Sequence, residues 1–291
     1  MNVSRRQFLQ YAAAHAAILG MTISDLGMLG RALASPTAPT VVWLQGSSCT
    51  GCTISFLDFV QSAAPTNAAE VLINVINLAY HVTSMGPSGD TAVALAKQAK
   101  NFVLVCEGAV PTAFGGHCCV QWTYKGVEYT HQQVVQDFAS RAAKIICVGQ
   151  CACFGGIQAA APNPSGAVRV SQATGKTTLN IAGCPAHPDW TVWAITQVLL
   201  GNTIAVDSNG RPTALYGTRV HSICPRREAR DASFWGQDNR CMEDLGCRGP
   251  EAYANCPTVK WNNGQNWCVD ANIACINCTG TGFPYSPIIK D

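Results

Sequence analysis

Sixteen cysteines in 291 residues constrain this chain more than any other feature. Each must be half of a disulfide, a metal ligand or a small buried apolar side chain. Two C-x-x-C pairs stand out, Cys49/Cys52 and Cys275/Cys278, and taken alone either suits zinc, a redox disulfide or an iron–sulfur cluster. A thioredoxin-like role for Cys49-Thr50-Gly51-Cys52 leaves the other fourteen unexplained. Disulfides mostly staple small domains that lack a core, and this chain is long enough to bury one. Structural zinc takes compact pairs, whereas Cys49, Cys52, Cys151 and Cys184 are spread over more than 130 residues. That spread favours a buried cluster, whose ligands often come from distant segments.

The beginning of the chain bears on the same question. Ser4-Arg5-Arg6-Gln7-Phe8-Leu9 precedes a mildly apolar, Ala/Gly-rich stretch and a small-residue cleavage pattern, Ala32-Leu33-Ala34. Together they predict a twin-arginine signal over residues 1–34, cleaved on export to the periplasm. That route carries proteins already folded, commonly around a cofactor, so it favours metal-bound thiolates over disulfides. No later apolar run reaches the ~20 residues of a membrane-spanning helix, so none is expected. A net charge of +2 gives no electrostatic reason for a nucleic-acid partner. With 48% hydrophobic residues the chain is not intrinsically disordered, and with only 12% charged part of its surface is expected to lie under another chain.

Between Thr40 and Gly201 apolar runs alternate with amphipathic stretches. The runs 41–44, 71–75, 102–105, 145–148 and 178–181 predict strands; Thr53–Ala64, Asp90–Lys100, His131–Ala143 and Trp190–Leu200 predict helices. Strands apolar on both faces, alternating with helices, imply an α/β fold with a doubly wound parallel sheet. Cys49 and Cys52 follow the first run, Cys151 the fourth and Cys184 the fifth, with Glu107-Gly108 after the third. Open α/β sheets bind ligands beyond the carboxyl ends of their strands, so three segments deliver four cysteines to one sheet edge. Gly46, Gly51, Gly149 and Gly183 would let backbone approach a bulky group there. Beyond Asp207 the chain loses any period of two or 3.6 and becomes rich in Cys, Pro, Gly and Asn. Metal binding can hold such a segment where a core cannot. His221, three residues before Cys224, is a candidate ligand in it. Gly175-Lys176-Thr177 is no phosphate loop, because the earlier glycine falls at Val170.

The strings Trp43-Leu44-Gln45 with Cys49-Thr50-Gly51-Cys52, Glu107 through Thr112, Val148 through Cys151 and Gly183-Cys184-Pro185 form one set. Val220-His221 to Cys224-Pro225, Leu245 through Pro250 and Asn255-Cys256-Pro257 continue it. Together they resemble the small subunit of the nickel–iron hydrogenases; Trp261-Asn262-Asn263-Gly264 through Trp267-Cys268 looks most like the nickel–iron–selenium branch. The resemblance implies a flavodoxin-like domain over 35–205 and an irregular cluster-binding domain over 206–291. It implies a proximal [4Fe–4S] cluster on Cys49, Cys52, Cys151 and Cys184, and a distal one on His221, Cys224, Cys241 and Cys247. Cys256, Cys275 and Cys278 would hold the medial cluster. Many relatives carry Pro in place of Cys268 and a three-iron medial cluster; here Cys268 is expected to complete a third [4Fe–4S]. The nickel–iron centre would lie in a partner large subunit, leaving no bond-breaking residue in this chain. A multihaem cytochrome c is the expected acceptor, with Arg219, Arg226, Arg227 and Arg230 in its docking patch. Cys106 and Cys147 are expected as buried strand residues, Cys119 and Cys153 near the proximal site, and Cys118 has no assigned role. Glycine at position 51, where oxygen-tolerant relatives carry cysteine, implies an ordinary proximal cluster. The related cluster subunit of respiratory complex I lacks the export signal and the tail, and a disulfide-stapled secreted binding protein would hold no iron.

Overall fold

The computed structural model describes residues 40–61 and 66–290; the segment expected to be a twin-arginine signal lies outside them. Five strands form one parallel sheet: β1 (Thr40–Gln45), β2 (Asn77–His81), β3 (Phe102–Glu107), β6 (Lys144–Val148) and β7 (Leu179–Ile181), in the order β2-β1-β3-β6-β7. This is the flavodoxin-like order, with its switch point between β1 and β3. Every residue of β3 is buried, as a central strand covered on both faces must be.

The helices divide between the faces. The seven-residue α1 (Gly51–Leu57) packs against α7 (Pro188–Leu199), which also meets β6. The elements α3 (Gly89–Gln98) and α4 (His131–Arg141) pack on a hairpin of β4 (Val120–Tyr124) and β5 (Val127–Thr130). A capping box starts α4: Thr130 Oγ1 accepts from the Gln133 amide, and Gln133 Oε1 from the Thr130 amide. Pro188 opens α7, where its missing N–H costs nothing. The short α5 (Gln150–Phe154) and α6 (Val170–Thr174) complete this half. No described helix is long and apolar enough to cross a membrane.

Two sequence expectations need correcting. The apolar run 71–75 is a π-helical turn rather than a strand, continuing α2 (Ala68–Glu70), and the strand beside β1 is Asn77–His81. A helix cap decides it: Asn67 Oδ1 accepts from the Glu70 amide as the N-cap, while Glu70 accepts from the Thr66 amide just before it at 2.6 Å. The hairpin was not foreseen; its Lys125-Gly126 turn has both φ positive, as a two-residue hairpin loop requires. The predicted helices end early, α1 at Leu57 and α4 at Arg141, and residues 62–64 of the first lie outside the description.

The tail is irregular, as expected, with two short α-helices, α8 (Thr213–Tyr216) and α9 (Cys256–Val259), and two 3-10 turns at His221–Ile223 and Glu243–Leu245 among the described residues. Asn239, Asn262, Asn263, Asn272 and Asn277 all have positive φ, a conformation asparagine tolerates better than most residues. Arg248 knits the chain end down, donating to the Pro287 and Ile288 carbonyls and to Glu251, with its guanidinium over the Tyr285 ring.

Candidate metal centres

All sixteen cysteines are free thiols, and the twelve candidate ligands fall into three groups. The first stands over the carboxyl ends of β1, β6 and β7. Cys49 precedes α1 and Cys52 sits in its first turn; Cys151 is in the first turn of α5, and Cys184 follows β7. Glycine is required where these turns crowd: Gly149 has φ +85, and a Cβ on it would run into Cys52 Sγ. The four sulfurs feel one another. Burial pushes the Cys151 thiol up to about 11, with Cys184 and Cys49 adding to it. Burial raises Cys52 too, followed by Glu107, Cys151 and Cys184, and Cys184 is raised by burial and then Cys49. At neutral pH such thiols stay protonated until positive charge arrives among them.

Cys256, Cys268, Cys275 and Cys278 form the second group. All four line one cavity that also reaches Cys184 and Pro185. Burial raises Cys256, with Cys278, Cys275 and Cys268 adding in turn; burial carries Cys278 up to about 12. His221, Cys224, Cys241 and Cys247 form the third group and line a second cavity. His221 Nε2 stands 3.6 Å from Glu243 Oε2.

The groups lie in series. Cys184 and Cys278 line the same cavity, linking the first group to the second. The Cys275 amide bonds Cys247 Sγ at 3.3 Å, linking the second to the third. Gln150 Nε2 adds a bond of 2.6 Å to the Gly280 carbonyl, tying the sheet edge to the tail. Among the described residues no three His, Cys, Asp or Glu side chains converge as they would on a single ion. Thiolate sets of four, or three with an imidazole, are what iron–sulfur clusters take.

Glu107, at the end of β3, is the polar centre beneath the first group. Buried, it accepts from the Cys52 and Thr53 amides and from Trp43 Nε1, each at 3.2 Å, and from Thr53 Oγ1. Cys106 and Cys147 are buried partners across β3 and β6. Cys153 does approach the first group, being raised by burial and by Cys147, Cys52 and Cys151, and it donates to the Cys147 carbonyl. Cys119 is raised by burial and by Cys118, which is exposed. Sequence reasoning missed three buried polar atoms that have no protein partner near the groups: Gln150 Oε1, Trp267 Nε1 and Asn277 Oδ1. Only adjacency to a cysteine could have flagged them.

Residues 49–198 match the family model for the 20 kDa subunit of NADH ubiquinone oxidoreductase. Residues 216–289 match the model for the C-terminal part of the NiFe/NiFeSe hydrogenase small subunit. The periplasmic [NiFe] hydrogenase small subunit of Solidesulfovibrio fructosivorans is 37% identical over 97% of this chain and 90% of its own length. The periplasmic [NiFeSe] hydrogenase small subunit of Desulfomicrobium baculatum is 34% identical over 98% of this chain and 97% of its own. A solved structure of the D. baculatum [NiFeSe] hydrogenase superposes with a TM-score of 0.79 at 35% identity, covering 87% of this chain and 98% of that one.

Proposed function

The chain belongs to the nickel–iron and nickel–iron–selenium hydrogenase small subunits, and from that premise we propose that it is the electron-carrying half of a heterodimeric uptake hydrogenase. Its large subunit would hold the nickel–iron centre where H2 is oxidised. Export by the twin-arginine route would bring the assembled pair to the periplasm. The fold divides at about residue 205, with the first ligand group in the sheet domain and the other two in the tail.

Three [4Fe–4S] clusters, when bound, would supply one-electron carriage from the H2-splitting site to an external acceptor. The ligands proposed are Cys49, Cys52, Cys151 and Cys184 for the proximal cluster, and Cys256, Cys268, Cys275 and Cys278 for the medial. His221, Cys224, Cys241 and Cys247 would hold the distal. The observation that carries this reading is the serial arrangement: three ligand groups, the first sharing a cavity with the second, and the second joined to the third by the Cys275 amide on Cys247 Sγ. The chain's own residues orient and insulate. Glu107 anchors the first turn of α1, and with it Cys52, above the sheet. His221, half-buried beside exposed Glu243, keeps the third group at the surface, where an acceptor such as a multihaem cytochrome c could approach. No residue of this chain breaks the H–H bond.

Iron and acid-labile sulfide in the anaerobically purified heterodimer test the reading. About twelve cluster irons are expected, three clusters of four, and Cys268→Ser should remove one of them and leave a three-iron medial cluster visible by EPR. About eleven irons in the wild type would exclude Cys268 as a ligand. No iron at all would sink the proposal.

A further inference from the structure

Trp267 stands where two cavities meet. It lines the one that holds Cys256, Cys268, Cys275 and Cys278, and also the one that holds His221, Cys224, Cys241 and Cys247. Only 3% exposed, it keeps its indole Nε1–H away from water and without an acceptor among the described residues. That group can only donate, and buried tryptophans ordinarily find a partner, because an unpaired buried donor forfeits its solvation for nothing. Its neighbour across the larger cavity, Trp190, has one: its Nε1 donates to Asn255 Oδ1 at 2.8 Å. Trp122 Nε1 is also unpaired but lines neither cavity. Sulfur dominates the chemistry on both sides of Trp267, with five thiols lining one cavity and four thiols and an imidazole lining the other, Cys275 lining both.

We infer that Trp267 donates its indole N–H to sulfur of an iron–sulfur cluster at the junction of the medial and distal ligand groups, and so is a positioning residue that raises that cluster's reduction potential. The inference rests on the cluster reading above. A reduced cluster carries one more negative charge than its oxidised form, and a hydrogen bond to a charged acceptor is stronger than one to a less charged acceptor. The bond therefore favours the reduced form, which is how hydrogen bonding to sulfur tunes these centres. No other indole lines both cavities, and the second cavity holds no proximal ligand, so this bond bears on the medial-to-distal step.

The test is an EPR-monitored redox titration of the intact heterodimer, wild type against Trp267→Phe and Trp267→His, with iron counted first. Phenylalanine keeps an aromatic ring and removes the N–H; histidine keeps a ring N–H. In Trp267→Phe the medial or distal cluster should lose about tenfold in its reduced-to-oxidised ratio at the former midpoint, a fall of about 59 mV for one electron. The proximal cluster should be unmoved, and Trp267→His should recover part of the loss; whichever of the two clusters shifts identifies the acceptor. Unchanged midpoints, as a water bridging to Asn277 Oδ1 would give, overturn the inference, and so do equal shifts in both variants. Wild-type protein without iron would instead defeat the cluster reading itself. Should Trp267→Phe fail to load its clusters, wild-type protein carrying indole-15N tryptophan decides. A 15N hyperfine coupling to a reduced medial or distal cluster supports the bond, and its absence overturns it.

Discussion

Glu107 is 1% exposed and forms no ion pair among the described residues, yet four donors converge on its carboxylate. A carboxylate offers about four acceptor positions, so its capacity is filled. Two of the donors are backbone N–H groups at the start of α1, which have no partner inside the helix. Replacing Glu107 by Ala would strand them together with Trp43 Nε1 and Thr53 Oγ1, at a cost of about 3–5 kcal/mol. Glu107→Gln keeps the shape but turns one acceptor into a donor facing donors, and should cost about 2 kcal/mol. Denaturant unfolding of the two variants should show that order, with cluster iron lost from the proximal site first, because Cys52 rides on the same turn. Stability equal to wild type in Glu107→Ala would mean that the four bonds hold nothing. The carboxylate's place at a strand end was legible from Glu107-Gly108. Its partners were not, since Trp43 and Thr53 lie 64 and 54 positions away and only the β1–β3 pairing brings them together.

Among the elements, the turn from β6 into α5 limits the first ligand group most tightly. Gly149 combines a positive φ with a neighbour, Cys52 Sγ, that leaves no room for a methyl group. Gly149→Ala therefore meets both backbone strain, about 1 kcal/mol or more, and a collision with a ligand. Gly126→Ala is the control: its φ is +78 in the hairpin turn, but nothing lies within 4 Å of the added carbon. Both variants should lose stability. Only Gly149→Ala should lose about four irons, one cluster's worth, while EPR still reports the medial and distal centres; iron loss in both, or in neither, would separate the ligand group from the turn. β1 and β6 were legible because each is buried along its centre and reads as a continuous apolar run, which β7, with Asn180 at its middle, does not. The same signal misled at 71–75, where a short apolar run serves a helix as readily as a strand and the Asn67 N-cap settled which. The hairpin escaped notice because Lys125 is not a usual residue for a positive-φ position. Boundaries in the tail were illegible for a different reason: asparagine turns and thiol groups hold it, and neither leaves a period.

The molecule as a whole offers apolar surface at both ends of its ligand series, as a chain with few charges should if other proteins cover it. At the proximal end α1 exposes Ile54 and Leu57, with Val60 just beyond, on the segment that carries Cys52. That is the face the large subunit is proposed to cover. At the distal end the loop before Cys241 exposes Phe234 and Trp235, at 61% and 49%, and is pinned to the ligand by the Ala232 amide on the Cys241 carbonyl at 2.7 Å. The four arginines proposed for docking are not equally free. Arg226 donates to Asn272, Arg227 pairs with Glu228 at 2.8 Å and Arg219 lies against Tyr253, which leaves Arg230 the most available. Charge on a rim chiefly sets encounter rates, whereas aromatic side chains at an interface set residence. The aromatic pair should therefore matter more than the arginines. Phe234→Ser with Trp235→Ser should cut turnover with the protein acceptor by about tenfold or more. Arg230→Ala should cost only about two- to threefold, and only at low salt. Reduction of a small artificial dye, which needs no docking surface, should be unchanged in both. A parallel fall with dye and protein acceptor would instead place the damage in the distal cluster, and acceptor turnover untouched by either change would move the exit from the chain to another face.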